Sequence, residues 1–190
     1  MLRSGDGTAP WQQVDSNAIE LWTIGHSTRS AEDFLALLQK NNLKILVDVR
    51  RFPGSRRYPH FNHENLERFL KGHGIDYVHF EDLGGRRTPR KDSPNTAWRN
   101  EAFRGYADYM MTPEFSAAMT RLLDLAAKHR TAVMCAESLW WQCHRALIAD
   151  YAKAEGIKVW HILGPGKLEE HPYTSAAQIV DGQLSYRGIL

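Results

Sequence analysis

With 190 residues, 43% hydrophobic and 24% charged side chains, the chain has the makings of one globular domain with a real core. A net charge of +2 excludes a globally basic surface, so any nucleic-acid partner must be met by a local patch. Two cysteines exclude a disulfide framework, and the lack of any run of about 18 apolar residues excludes a membrane-spanning helix from the expectation.

Residues 1–18 read as a loose polar leader without a signal-peptide apolar region, which predicts a cytoplasmic protein with reduced thiols. Residues 19–190 read as one domain. Leu21–Ile24 is a short apolar strand, followed by Gly25-His26-Ser27. Ser30 is placed to cap a helix whose apolar positions Phe34, Leu35, Leu37 and Leu38 repeat at helical spacing. Lys44–Val49 is a second strand, apolar almost throughout, as expected where both faces are covered. An Arg-rich loop over 50–59 leads to a helix entered at Asn62 and closed by Gly72 or Gly74. Ile75–His79 is a third strand. A polar, basic insertion runs from Leu83 to about Gly105, followed by helices over Tyr106–Met111 and Pro113–Lys128, the second capped by Thr112. Thr131–Cys135 is the fourth strand, Cys143–Glu155 a helix, Lys158–Ile162 the fifth strand, and Gln178–Tyr186 a hairpin about Asp181-Gly182. Gly164-Pro-Gly-Lys167 reads only as a turn.

This alternation predicts an α/β fold: a single domain with a mainly parallel open sheet flanked by helices. Ligands of such folds bind outside the carboxyl ends of the strands. The polar clusters fall there: His26 and Ser27, Asp48 and Arg50, Cys135 and Glu137, with His161 near the end of the fifth strand. The expectation is a composite site.

Each cluster has a chemical and a structural interpretation. Asp48 and Arg50 share one side of a strand end, as an acid beside an anion-binding arginine or as an ion pair that tethers the loop. Ser55 and Arg56 follow Pro53-Gly54, where amides and guanidinium could cradle a phosphate. Gly84 and Gly85 allow close backbone approach. Arg51, Arg57, Arg86, Arg87, Arg90 and Lys91, interleaved with Phe52, Tyr58, Phe61 and Trp98, form basic aromatic loops that suit phosphate contact with base stacking or an ordinary surface. Trp140 is either a stacking platform or a hydrophobic plug.

Cys143 lies near a helix start, where a thiol becomes more acidic, with His144, Arg145 and His26 as partners. The alternatives are two buried packing thiols, or a metal site from Cys135, Cys143, His144 and one of His26 or His161. The spacing fits no common zinc pattern, and the Cys-x5-Arg phosphate loop is absent. Neither a metal nor any other cofactor is expected. Glu137, just past a buried strand, is expected to have a raised pKa suited to acid–base work, or to pair with Arg145 or Arg50. His144 and Arg145 oppose the helix dipole unless an anion sits against them.

Thr23-Ile-Gly-His-Ser27, Asp48-Val-Arg50 with Pro53 and Ser55-Arg56, Leu83-Gly-Gly85, and Cys135-Ala-Glu137 with Cys143-His-Arg145 together resemble the bacterial and archaeal DUF488 family, from about Leu21 to Ile162. The family is one of unknown function. A loose DNA-repair label on some of its members is the only chemical hint the resemblance brings.

The leading expectation is an enzyme acting on nucleic acid or a nucleotide-like phosphate ester. Arg50, Arg56 and Arg145 would bind phosphate, and Glu137 or Asp48 would work with His26 in hydrolysis. A non-catalytic nucleic-acid or anion-binding module, and thiol chemistry at Cys143 or Cys135, are the competing classes. The partner expected is nucleic acid or a phosphorylated small molecule, with no membrane; oligomeric state is not legible.

Overall fold

The computed structural model describes residues 10–13 and 19–188. Five parallel strands, β1 (Glu20–Gly25), β2 (Ile45–Asp48), β3 (Asp76–His79), β4 (Thr131–Cys135) and β5 (Lys158–Gly164), stand in the order β3-β2-β4-β1-β5. A sixth strand, β6 (Lys167–Glu170), joins antiparallel to the β5 edge. The helices are α1 (Ala31–Lys40), α2 (His63–Lys71), α3 (Glu101–Met110), α4 (Pro113–Lys128) and α5 (Arg145–Ala154). The expected α/β fold with a mainly parallel sheet is the one observed. β7 (Gln178–Val180) and β8 (Gln183–Ser185) form a small separate hairpin. Asp181 and Gly182 at its turn both take positive φ, as a two-residue turn of this hand requires.

Side chains along a strand alternate between faces, and the two cores follow that alternation. Trp22, Ile24, Leu46 and Met134 pack against Phe34 and Leu38 of α1 and Leu66 and Leu70 of α2. Leu21, Val47, Val133 and Cys135 pack against Phe115 and Leu122 of α4 and Leu147 and Ile148 of α5. Both faces are therefore covered, which is why the strands read as apolar runs.

Local signals set most boundaries. The Ser30 hydroxyl accepts from the Asp33 amide at 3.0 Å and starts α1. Thr112 caps α4, with Pro113 in the first helical position. Asn100 caps α3 through the amides of Ala102 and Phe103, so that helix begins five residues before the expected Tyr106. Asp108 of α3 binds the insertion down through Ser93, Asn95 and the Arg90 amide. Asn62 sits at the start of α2, but its side chain accepts from the Ser55 amide instead of a helix amide.

Three differences from expectation matter. Gly164-Pro165-Gly166-Lys167 is the turn that leads into β6, a short polar edge strand with no apolar period to betray it. Helix α5 starts at Arg145, two residues late, because Trp140–Gln142 forms a 3-10 turn and Cys143 is extended. Of the expected leader 1–18, Pro10–Gln13 forms a 3-10 turn. Trp11 in it is buried and its amide donates to Asp124; the other leader residues lie outside those described. Among the described residues no helix is long and apolar enough to cross a membrane.

Candidate active site at the carboxyl ends of β1, β2 and β4

Period-two alternation sends Asp48 to the α1/α2 face of the sheet. There its carboxylate, with no exposure, takes Nε and Nη2 of Arg50 at 2.9 and 2.6 Å and the Tyr77 hydroxyl at 2.6 Å. Arg50 also donates to the Phe61 carbonyl and faces His26 Nε2 at 3.3 Å. His26 donates from Nδ1 to the Ser27 carbonyl and stacks on Phe61 at 4.3 Å. Burial holds its pKa down at about 4, so the ring is neutral. Burial and the neighbouring Asp48 push the Tyr77 phenol up. This cluster is saturated: Asp48, expected as an acid–base candidate, has its oxygens fully engaged and does not reach open space.

Cys135 and Cys143 lie on the opposite face, their sulphurs 2.8 Å apart. Arg145 is 1% exposed. It gives Cys143 Sγ two hydrogen bonds, from its backbone amide at 3.3 Å and from Nε at 3.2 Å. Its Nη2 donates to the Glu137 carbonyl at 2.7 Å. No side-chain oxygen caps α5; the Cys143 sulphur takes that place, at the positive end of the helix. The group expected to sit against His144 and Arg145 is thus a sulphur of the chain itself. Burial alone would raise the Cys143 thiol, but the Cys135 hydrogen bond and the Arg145 guanidinium outweigh it and hold it below the ordinary thiol range. Burial and the same hydrogen bond push Cys135 well above that range. The pair therefore carries one acidic and one reluctant thiol.

The loop between the cysteines is fitted closely to β1. His26 and Ser27 amides donate to the Cys135 and Ala136 carbonyls. A side chain on Gly25 would stand 1.7 Å from the Glu137 carbonyl oxygen. One on Gly85 would stand 2.8 Å from His144 Nδ1. His144 donates from Nε2 to the Val49 carbonyl, and burial lowers its pKa to about 4. His144 is therefore not the cationic partner of Cys143.

A cavity of about 260 Å³ opens above the two sulphurs. Of the residues singled out on sequence, it brings together Arg50, Gly85, Cys135, Glu137, Cys143 and His144. Arg51, Phe52 and Arg86 form its outer wall, and Phe103 and Tyr106 from α3 its inner one. Arg51 and Arg86 both lie over the Phe52 ring at 5.9 Å. Among the described residues neither has a carboxylate partner. Arg86 takes φ +60, a left-handed conformation that costs a non-glycine residue about 1 kcal/mol or more and marks a constrained wall.

Glu137 is exposed at the mouth, and its pKa corrects the expectation. Burial of its carboxyl raises it, but the Cys135 hydrogen bond, its own amide and the Arg145 charge prevail, and it stays below the usual carboxylate range. Ser27, Ser55, Arg56, Gly84, Trp140 and Arg145 do not line the cavity. The Ser55 hydroxyl accepts from the Tyr58 amide and organises its turn, while Arg56 projects into solvent. Trp140 is buried and stacked on His161 at 4.5 Å; the exposed indole is Trp141. The basic insertion is partly self-satisfied, with Arg90 on Asp92 and Arg87 over the Tyr109 ring.

Cys135, Glu137 and Cys143 bring ligand atoms within 4.8 Å of one another. The Arg145 charge against Cys143 opposes a cation there. His26, His144 and His161, weighed with the cysteines as ligands, each face other partners. Thr23, Asp150 and His171 were missed on sequence. The one available signal was Asp150, an acid inside the apolar run of α5.

The fold and site define an α/β domain with an arginine-held cysteine pair at the strand ends. The chain belongs to the DUF488 family: the family model, described as a domain of unknown function, matches residues 30–152. That span contains Asp48, Arg50, Cys135, Glu137, Cys143 and Arg145. No curated protein and no solved structure matches the chain.

Proposed function

We propose that the protein is a thiol-dependent enzyme in which a Cys143 thiolate attacks a small anionic substrate, a nucleotide-like phosphate ester being the class that suits the cavity wall. The observation that carries this is the Cys143 sulphur, which accepts two N–H groups of a buried arginine while it faces the cavity. A buried guanidinium without a carboxylate partner is costly unless an anion stands beside it. The thiolate supplies that anion and is the reactive form of cysteine. Attack at phosphorus forms the S–P bond as the P–O bond to the ester's alcohol breaks; Cys135, kept protonated by burial, is placed to give its proton to the departing oxygen, and water then hydrolyses the thiophosphate to restore Cys143. Arg51 and Arg86 would hold negative charge, with Phe52 as the flat surface between them.

The general acid–base variant is less well supported, since Asp48 is enclosed and Glu137 and the neutral His26 both titrate well below neutrality. At about 260 Å³ the cavity is at the small end for ligand sites and favours a small molecule over a duplex.

The test is alkylation followed by site-resolved mass spectrometry between pH 5 and 10. Cys143 reacts with a midpoint below the ordinary thiol value of about 8.5, and Cys135 stays unmodified. The rate with iodoacetate relative to iodoacetamide exceeds that of free cysteine, and Arg51→Ala with Arg86→Ala removes the excess. Two inert thiols, or a Cys143 that titrates like free cysteine, would overturn the proposal.

A further inference from the structure

Behind Arg145 lies a second set of buried polar groups that the thiol chemistry does not itself use. Arg145 Nη1 donates to the Thr23 hydroxyl at 3.4 Å. Thr23 Oγ1 is 2.6 Å from His161 Nδ1, His161 Nε2 is 2.8 Å from His171 Nδ1, and His171 Nε2 is 2.9 Å from Asp150 Oδ1. All five side chains are at most 1% exposed. Asp150 is held in turn by the Thr174 amide and hydroxyl and by the Tyr186 hydroxyl.

With both imidazoles in a neutral tautomer, one arrangement of protons satisfies the whole set. Asp150 can only accept, so His171 donates to it from Nε2 and its Nδ1 is an acceptor. His161 must then donate from Nε2, leaving its Nδ1 to accept from the Thr23 hydroxyl. The Thr23 oxygen is then free to accept from Arg145. Every bond then runs in one direction, from the guanidinium to the carboxylate. Trp140 closes the space around both rings, stacked on His161 and edge-on to His171 at 5.0 Å. Burial, reinforced by Arg145, pushes the His161 pKa far below its ordinary value and keeps that ring neutral.

We propose that Thr23, His161, His171 and Asp150 are positioning residues of the Cys143 site: a directed hydrogen-bond relay that links the buried Arg145 charge to the buried Asp150 charge and holds the guanidinium on the Cys143 sulphur. The chemical consequence rests on the thiolate reading above. Without the relay, Arg145 keeps its backbone contacts but loses the acceptor that fixes Nη1 and orients the fork. The charged and titratable groups around Cys143 are Arg145 from α5, Tyr106 from α3, Cys135 and Glu137 from the end of β4, and His144 beside it. Arg29, which follows β1, acts on Arg145 from a distance. None of these is altered by a substitution at Thr23.

Thr23→Val is nearly isosteric and removes only the hydroxyl; Thr23→Ser restores it. Cys143 alkylation by iodoacetamide is followed against pH in both, in the parent and in Asp150→Asn. Thr23→Val and Asp150→Asn move the midpoint up by about one pH unit, a roughly tenfold slower reaction at neutral pH, while Thr23→Ser keeps the parent profile. Imidazole nitrogen NMR on the parent finds both His161 and His171 protonated at Nε2 between pH 5 and 8. A parent-like Thr23→Val profile, or either proton on Nδ1, overturns the proposal. If Cys143 titrates like free cysteine in the parent, the thiolate reading fails, and the NMR tautomers still decide the relay by themselves. If Asp150→Asn does not fold, Thr23→Val carries the test alone.

Discussion

Two arginines in this molecule reach back two residues, one to a carboxyl and one to a thiol sulphur, and they do so on opposite faces of one sheet. Arg50 holds Asp48, a carboxyl group. Arg145 holds Cys143, a group whose charge depends on the arginine itself. In the first case the carboxyl is consumed by the fold, with Tyr77 completing its set, and Arg50 is held further by Phe61 and His26. In the second the sulphur keeps one side open to a cavity. The same spacing gives a structural clamp where the partner is an enclosed carboxyl and a candidate reactive group where it is a thiol beside a cavity.

This contrast can be broken at either end. Asp48→Asn leaves the Arg50 charge buried without its counter-charge and should cost about 3–5 kcal/mol, the usual penalty for breaking a buried pair from one side. Equilibrium urea unfolding reads it, and a loss under 1 kcal/mol would mean that Arg50 finds water or another acceptor. Acid acts next. His26 and His144 have folded pKa values near 4, below the unfolded value of about 6.5. The unfolded chain therefore binds more protons below pH 6.5. Stability should be full above that pH and fall as pH drops from 6.5 towards 4, by up to about 1.4 kcal/mol per unit for each buried neutral histidine. Urea midpoints across that window check the slope; a flat profile would show the rings to be solvated. Cys143→Ser also removes the counter-charge proposed for Arg145 and should cost less, about 1–2 kcal/mol, because Arg145 retains Thr23 and the Glu137 carbonyl. It should still abolish the alkylation described above. A large loss of stability in Cys143→Ser would make the second arginine a clamp like the first.

Much of the fold was legible because it rests on local signals. Ser30, Thr112 and Pro113 mark helix starts by their own chemistry, and Asp181-Gly182 marks a turn by its backbone freedom. The apolar runs over 45–49 and 131–135 could only belong to strands covered on both sides. Strand β6 was not legible: Lys167-Leu-Glu-Glu170 has no period, and its hydrogen bonds come from the β5 edge. The start of α3 was missed because Asn100 caps it within a polar stretch that looks like loop.

The site divides in the same way. The sequence by itself determined that Asp48, Arg50, Cys135, Glu137, Cys143 and Arg145 gather at the carboxyl ends of the strands, since period-two alternation and the α/β topology leave them nowhere else. Which partner each arginine would hold, that the Glu137 carboxyl would stay below its usual range, and that Trp140 would cover two imidazoles were decided only by the tertiary structure. So was the chain from Thr23 to Asp150, whose members are contributed by β1, β5, α5 and the segment after β6. Hydrogen bonds between side chains so distant along the chain leave no period or spacing to read. They exist because sheet register and helix packing bring those atoms within 3 Å of one another, and burial then requires that each find its partner.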